Sequence, residues 1–261
     1  MKGDFYKRFG RDNDLIFCPV DQRHMRKYGG WSLKNSIKNP QDINTIVSLL
    51  IPTNPRASDP YWYIAPRDLS CGILKYCYYE NKISNADIWK TCSLHLAELA
   101  PRLKDVPGAE AAYSHISNTQ GNAANDVKAV MMSYMGAFEY LQYTDGNFII
   151  DDWSKEGNES IYLLNFTSIS ACVKPVMTLF VSLLMNSMLS LTGDLHRRIA
   201  LILDEFPQLH KIDILPNFLA LSRDRGAVNI LGWQSHSLIQ QIYGDETPIT
   251  SSLRTKIYCQ I

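Results

Sequence analysis

Two adjacent carboxylates, Asp204 and Glu205, end an unbroken apolar run in RRIALILDEFPQLHKI, residues 197–212. Side by side they repel, and each resists leaving water, so such a pair calls for something positive facing it. At the mouth of a parallel sheet an Asp in this position can hold Mg²⁺, directly or through water, while the neighbouring Glu orients or deprotonates an attacking water. This is the pattern of a Walker B segment, in which the magnesium that accompanies a nucleotide supplies the missing positive charge. The same residues also occur where a plain strand end enters a helix cap, so the pair by itself leaves both readings open. Gln234 directly follows the apolar run AVNILGW, one strand–helix unit later. There an amide can position a water or sense a γ-phosphate, or it can simply satisfy a loop.

A parallel sheet is what would bring these residues to one edge, because the carboxyl ends of its strands face a common crevice. The sequence predicts such a sheet. Short apolar runs, DLIFC (14–18), SIYLLNF (160–166), IALIL (199–203) and AVNILGW (227–233), alternate with helical patterns, and KIYCQ (256–260) is a further candidate strand. Between the first and second runs, from about 45 to 143, the period is helical. SNADIWKTCSLHLAEL begins with Ser84 or Asn85 as a cap and has Asp87 in the first turn, and NAANDVKAVMMSYMGAFEYL sets Val127, Val130, Met131, Tyr134 and Phe138 on one side. Pro66, within a helix-like stretch, predicts a break or kink. The helical block thus reads as an insertion into one α/β domain: 1–36 as the first part, 37–143 as an all-α domain, and 144–261 as the second part.

The 261 residues carry 26 basic and 26 acidic side chains and are 46% apolar, enough for one large or two small cores. Zero formal charge argues against a surface that coats nucleic acid indiscriminately, and is silent about a local basic patch. Six cysteines without a C-x-x-C pair read as free, buried thiols of a reducing compartment. The scattered histidines form no zinc-binding spacing. The N-terminus has no apolar export segment. PVMTLFVSLLMNSMLSL (175–191) approaches the length of a membrane span, but Thr178, Ser182, Asn186 and Ser190 make a polar stripe on it, which predicts a core helix packed on a sheet. The string G-x-x-x-x-G-K-[ST], which cradles phosphates in P-loop enzymes, does not occur in these residues.

Three stretches, KRFGRDNDLIFCPVDQRHMRKYGGWSLKNSIKN, GNFIIDDWSKEGNESIYLLNFTSISACVKPVMTLFVSLL and LILDEFPQLHKIDILPNFLALSRDRGAVNILGWQSHSLIQQIYGDE, closely resemble the TraD/TrwB class of type IV secretion coupling proteins. The resemblance runs through nearly the whole chain. It implies an α/β fold with a RecA-like, P-loop-type parallel sheet, here incomplete, and an inserted all-α domain. It also implies a hexameric ATPase motor that uses ATP and Mg²⁺ at the cytoplasmic face of the inner membrane and links relaxosome proteins and their DNA to the secretion channel. By position, Asp204 is the expected magnesium carboxylate, Glu205 the catalytic one and Gln234 the family glutamine. Arg223 is expected as a finger toward a neighbouring subunit's nucleotide, or else as an arginine answering a helix C-terminus. Arg225 is a second candidate for the same job. The membrane helices and Walker A loop of the family are expected upstream of the matching residues, so these residues read as the interior of such a protein, and whether they alone make an enzyme stays open. The alternatives are a non-catalytic module that binds DNA or relaxosome proteins, and a remnant without ATPase activity.

Overall fold

Four of the five short apolar runs become strands, and the strands pair in parallel. The structure, a computed structural model, describes residues 8–19, 30–53, 59–119, 122–164, 170–194, 196–244 and 247–258. Strand β1 (Leu15–Phe17) lies beside β2 (Ile161–Leu163), with Leu15 opposite Ile161. Strand β3 (Ile199–Leu203) lies beside β4 (Ala227–Leu231), with Ile199 opposite Ala227 and Leu203 opposite Leu231. Among the described residues these are two separate two-stranded sheets, where the sequence predicted one continuous sheet. The fifth candidate strand is not formed over its described part, residues 256–258, and the rest of it lies outside the described residues. Ile257 and Tyr258 are largely exposed there.

Helices fill the stretch between β1 and β2. They are α1 (Pro40–Leu50), α2 (Tyr61–Tyr79), α3 (Asn85–Cys92), α4 (Leu96–Leu103), α5 (Glu110–Ile116), α6 (Asn122–Met135), α7 (Phe138–Leu141) and α8 (Ile150–Glu156). Helix α3 starts as its sequence dictates: Ser84 caps the Asp87 N–H, and Asp87 returns a bond to the Ser84 N–H, a reciprocal capping box. The expected long helix stops at Cys92, because Ser93 turns its hydroxyl back to the Trp89 carbonyl and His95 adopts an extended backbone before α4. Pro66 breaks nothing. Helix α2 runs through it, and the ring forfeits a single hydrogen bond near the helix start, where the chain has the least to lose.

After β2 come α9 (Ser170–Leu189), α10 (Leu215–Leu221), α11 (His236–Tyr243) and α12 (Thr247–Thr250). Helix α9 explains why the sequence looked membrane-like. One side, including Val173, Val176 and Phe180, packs into a core with the helical layer, β1 and β2; another, Val181, Met185 and Met188, packs against β3, α10 and α11. A helix with a core on both sides must be apolar nearly all round. It is long and apolar enough to cross a membrane, but 78% of its most apolar window is buried inside the protein. The polar stripe is absorbed within the helix. The hydroxyls of Thr178, Ser182 and Ser190 donate to the carbonyls of Lys174, Thr178 and Asn186 at 2.8, 2.7 and 3.0 Å, which lets Thr178 and Ser182 be buried at little cost.

Where the helical stretch leaves and returns, the chain is pinned. Phe17 stacks on Phe180 at 4.2 Å, and Trp31 meets both rings edge-on. Asn35 donates to the carbonyls of Gly146 and Phe148, joining the two crossings. Among the described residues no cysteine is in a disulfide. Cys18, Cys77 and Cys92 are buried and Cys71 is half-buried, but Cys172 is exposed, contrary to the expectation of burial. Burial pushes the Cys71 and Cys77 thiols up to about 11, out of the reactive range. Cys259 lies outside the described residues.

Candidate functional site

The strand IALIL forms residue for residue, and its end delivers the two carboxylates to a sharp turn. Glu205 takes a left-handed backbone, φ 57°, uncommon for a residue with a side chain. That turn leads into a single 3₁₀ turn, Phe206–Gln208, with Pro207 at its start. The adjacent strand continues alongside: the Gly232 N–H donates to the Leu203 carbonyl at 2.9 Å, and the Phe206 N–H to the Gly232 carbonyl at 3.1 Å. Gly232 therefore lies against the carboxylates. A Cβ there would approach Asp204 Oδ1 to 2.9 Å, so glycine keeps this side of Asp204 open.

The parallel register brings Gln234 to the same edge, where its Nε2 donates to Glu205 Oε1. A second amide, from Gln208, donates to Glu205 Oε2 at 2.8 Å. Sequence reading missed Gln208. Its signal was the three-residue spacing from Glu205 across a proline turn, which folds residue 208 back over residue 205. Among the described residues no donor or cation engages the Asp204 carboxylate, which is exposed to solvent. The repulsion between neighbouring acids is thus eased by dipoles on Glu205 and by water on Asp204. Beneath them Phe206 is buried, with Trp233 and Tyr243 at 5.9 and 6.0 Å.

The donor set suits magnesium shared with phosphates. Mg²⁺ keeps several waters and takes only one or two protein carboxylates when a nucleotide supplies further oxygens, and Asp204 offers one such carboxylate. An all-protein metal site is not available: among the described residues no three His, Cys, Asp or Glu side chains group together. Two clefts, of about 300 and 280 Å³, lie away from the strand ends, one around Trp153 and the other between Lys38, Asp151 and Ser187. In the second, burial alone would raise the Asp151 carboxyl, but bonds from Lys38 and Ser187 outweigh it and hold the acid below its ordinary range.

Arg223 is not brought to this edge. It is exposed in the 3₁₀ turn Ser222–Arg225, which precedes β4 and so lies at the opposite end of the strand pair. The arginine that answers helix ends is Arg225. Its Nε donates to the Leu189 carbonyl at 2.7 Å and its Nη1 to the Leu221 carbonyl at 2.8 Å, at the C-termini of α9 and α10. Those bonds engage Arg225 within its own chain.

Beyond the carboxylates the chain forms a strap, residues 209–213, back to the helical layer. The His210 N–H donates to Thr178 Oγ1 at 3.0 Å, and its ring lies 5.6 Å from Tyr134 on α6. The Ile212 N–H donates to the Tyr243 hydroxyl at 3.2 Å, and burial pushes that phenol well above its ordinary range. Lys211 pairs with Asp213 at 2.7 Å, and both reach Thr53 beyond the end of α1.

The parallel pair β3–β4 gathers an Asp-Glu turn and a glutamine at one edge, and helices are inserted between the strands of the other pair, β1 and β2. The whole chain, residues 1–261, matches the family described as type IV secretion-system coupling protein DNA-binding domain, and the chain belongs to that family. Coupling protein TraD of Escherichia coli (strain K12) is 26% identical over 254 residues, which are 94% of this chain and 34% of TraD. The unbound bacterial conjugative coupling protein TrwB superposes with a TM-score of 0.83 at 24% identity, covering 97% of this chain and 58% of that one. TrwB in complex with ADP and Mg²⁺ gives 0.83 at 23% identity, covering 96% and 59%. The fold is therefore of the α/β, RecA-like type with a helical layer. The chain spans about a third of TraD and less than two thirds of the TrwB chains.

Proposed function

We propose that this chain is part of a type IV secretion coupling protein, an ATP-driven motor linking relaxosome DNA to the secretion channel. The observation that carries the reading is the convergence of Asp204, Glu205 and Gln234 at one sheet edge, with both Glu205 oxygens held by amides. TrwB, of the same fold, has been captured with ADP and Mg²⁺, which supports ATP and Mg²⁺ as the cofactors here. Magnesium bound with the nucleotide supplies positive charge to the phosphate oxygens. Asp204 would hold it, directly or through water. Glu205 orients a water and takes its proton, and Gln234 keeps Glu205 in place and senses the terminal phosphate.

Arg223, exposed and far from its own carboxylates, is assigned as a finger toward the site of a neighbouring subunit in a hexamer. The division into 1–36, 37–143 and 144–261 belongs to the same proposal, with the helical part facing DNA or relaxosome proteins. So does a position at the cytoplasmic face of the inner membrane. The test is magnesium-dependent ATP hydrolysis by the intact polypeptide that carries these residues. It should fall at least about a hundredfold in Glu205→Gln, the loss of a general base; a variant as active as the unaltered protein would remove Glu205 from the mechanism.

One observation favours a second reading for residues 1–261 by themselves. They contain no phosphate-cradling G-x-x-x-x-G-K-[ST] string, so the isolated chain is expected to bind DNA or relaxosome proteins without hydrolysing ATP. Magnesium-dependent nucleotide binding by the isolated chain decides between them: none is expected, and clear binding would show that the cradle is supplied by other residues of this chain.

A further inference from the structure

We propose that Gln208 is a positioning residue of the carboxylate site, fixing the plane of the Glu205 carboxylate together with Gln234; the assignment rests on the nucleotide-hydrolysing role given to Glu205 above. The last torsion of a glutamate is broad, so one donor on one oxygen leaves the carboxylate free to turn. Here two amides engage different oxygens, Gln234 on Oε1 and Gln208 on Oε2, the latter at 2.8 Å. Two anchor points define the plane. A carboxylate has about four lone-pair sites, so two remain to accept a water in a set direction. A general base acts only when its lone pair points at the proton it removes.

The backbone under Gln208 is itself held. Its N–H donates to the Glu205 carbonyl at 2.9 Å, and the Leu209 N–H donates to Phe206 at 3.1 Å, closing the 3₁₀ turn. Phe206 and Pro207 are buried, while the Gln208 side chain is exposed, so its amide serves Glu205 and does not build the core. The amide comes from the 3₁₀ turn Phe206–Gln208, and that of Gln234 from the segment that follows the neighbouring strand. The carboxylate is therefore held from two different elements.

Two measurements test the assignment. In the 261-residue chain, the side-chain amide resonances of both Gln208 and Gln234 should move in Glu205→Ala; a Gln208 signal that stays in place overturns the contact. In the intact polypeptide, Gln208→Met keeps the length and loses the donor, and is expected to lower kcat about tenfold, the loss of one hydrogen bond to a charged group, with KM and melting temperature unchanged. Gln208→Asn, which retains a donor, should recover part of that rate. Unchanged kcat in Gln208→Met, with hydrolysis intact, removes Gln208 from the site and leaves the motor reading standing. Absence of hydrolysis in the unaltered polypeptide overturns the motor reading, and the catalytic role of Gln208 with it.

Discussion

Asp213 and Thr53, far apart in sequence, meet through both carboxylate oxygens: the Thr53 N–H donates at 3.1 Å, and the Thr53 hydroxyl lies 3.0 and 3.1 Å from the two oxygens. This ties the segment behind the Asp204–Glu205 turn to the end of α1. Thr53→Val and Asp213→Ala should each cost about 1 kcal/mol of stability, and the double variant should cost less than their sum by about 0.5 kcal/mol or more. Urea unfolding of all four proteins measures the coupling; strict additivity would mean that the two residues do not act together.

His210 makes stability depend on pH. Burial, and secondarily the charge of Lys174, lower its imidazole to about 4 from an ordinary 6.5. Between those values the unfolded chain binds a proton that the folded one refuses. Stability is thus complete above about pH 6.5 and is lost as pH falls toward 4, by at most about 3 kcal/mol. His210→Gln should flatten the unfolding free energy across this window, and a profile as steep as that of the unaltered chain would assign the dependence to other groups.

Asn85 is fully buried and joins both crossings of the helical stretch. Its Oδ1 accepts from the Leu33 N–H at 3.0 Å, and its Nδ2 donates to the carbonyls of Trp31 and Leu141 at 2.9 and 3.3 Å. Asn85→Leu leaves the buried Leu33 N–H and Trp31 carbonyl without partners, while the Leu141 carbonyl keeps its bonds from Thr144, and is expected to cost about 2 kcal/mol or more. Thermal unfolding checks this; a loss below about 1 kcal/mol would mean that water or a shifted backbone replaces the bonds.

Arg223 and Arg225 should separate cleanly. Arg225→Ala strips two helix-end carbonyls of their donor and should lower stability by about 1–2 kcal/mol. Arg223→Ala should leave stability within about 0.5 kcal/mol, as exposed positions do, while lowering ATP hydrolysis by the intact polypeptide. Equal destabilisation by both would contradict the division of roles drawn here.

Much of this was legible in the residues. IALIL became β3 without a shifted boundary, and the Ser84–Asp87 capping box starts α3, because strand and cap signals act within a few residues. Pro66 misled, because its cost depends on where in a helix it falls, and α2 starts only five residues earlier. The stripe on α9 predicted a core helix, and 78% of the helix's most apolar window is buried. Sequence shows that Thr178 and Ser182 are polar, but not that their hydroxyls turn back to the helix and let them be buried.

The sequence by itself determined that Asp204, Glu205 and Gln234 share an edge. Two apolar runs that pair in parallel must present their C-terminal neighbours on the same side, and period and chain direction suffice for that. Only the tertiary structure decided that Arg225 and not Arg223 reaches the Leu189 carbonyl at the end of α9, and that Asp213 reaches Thr53. Those bonds join residues whose separation is set by α9 packing between two cores. Such packing arises from the burial of the whole chain, and no local pattern of residues encodes it.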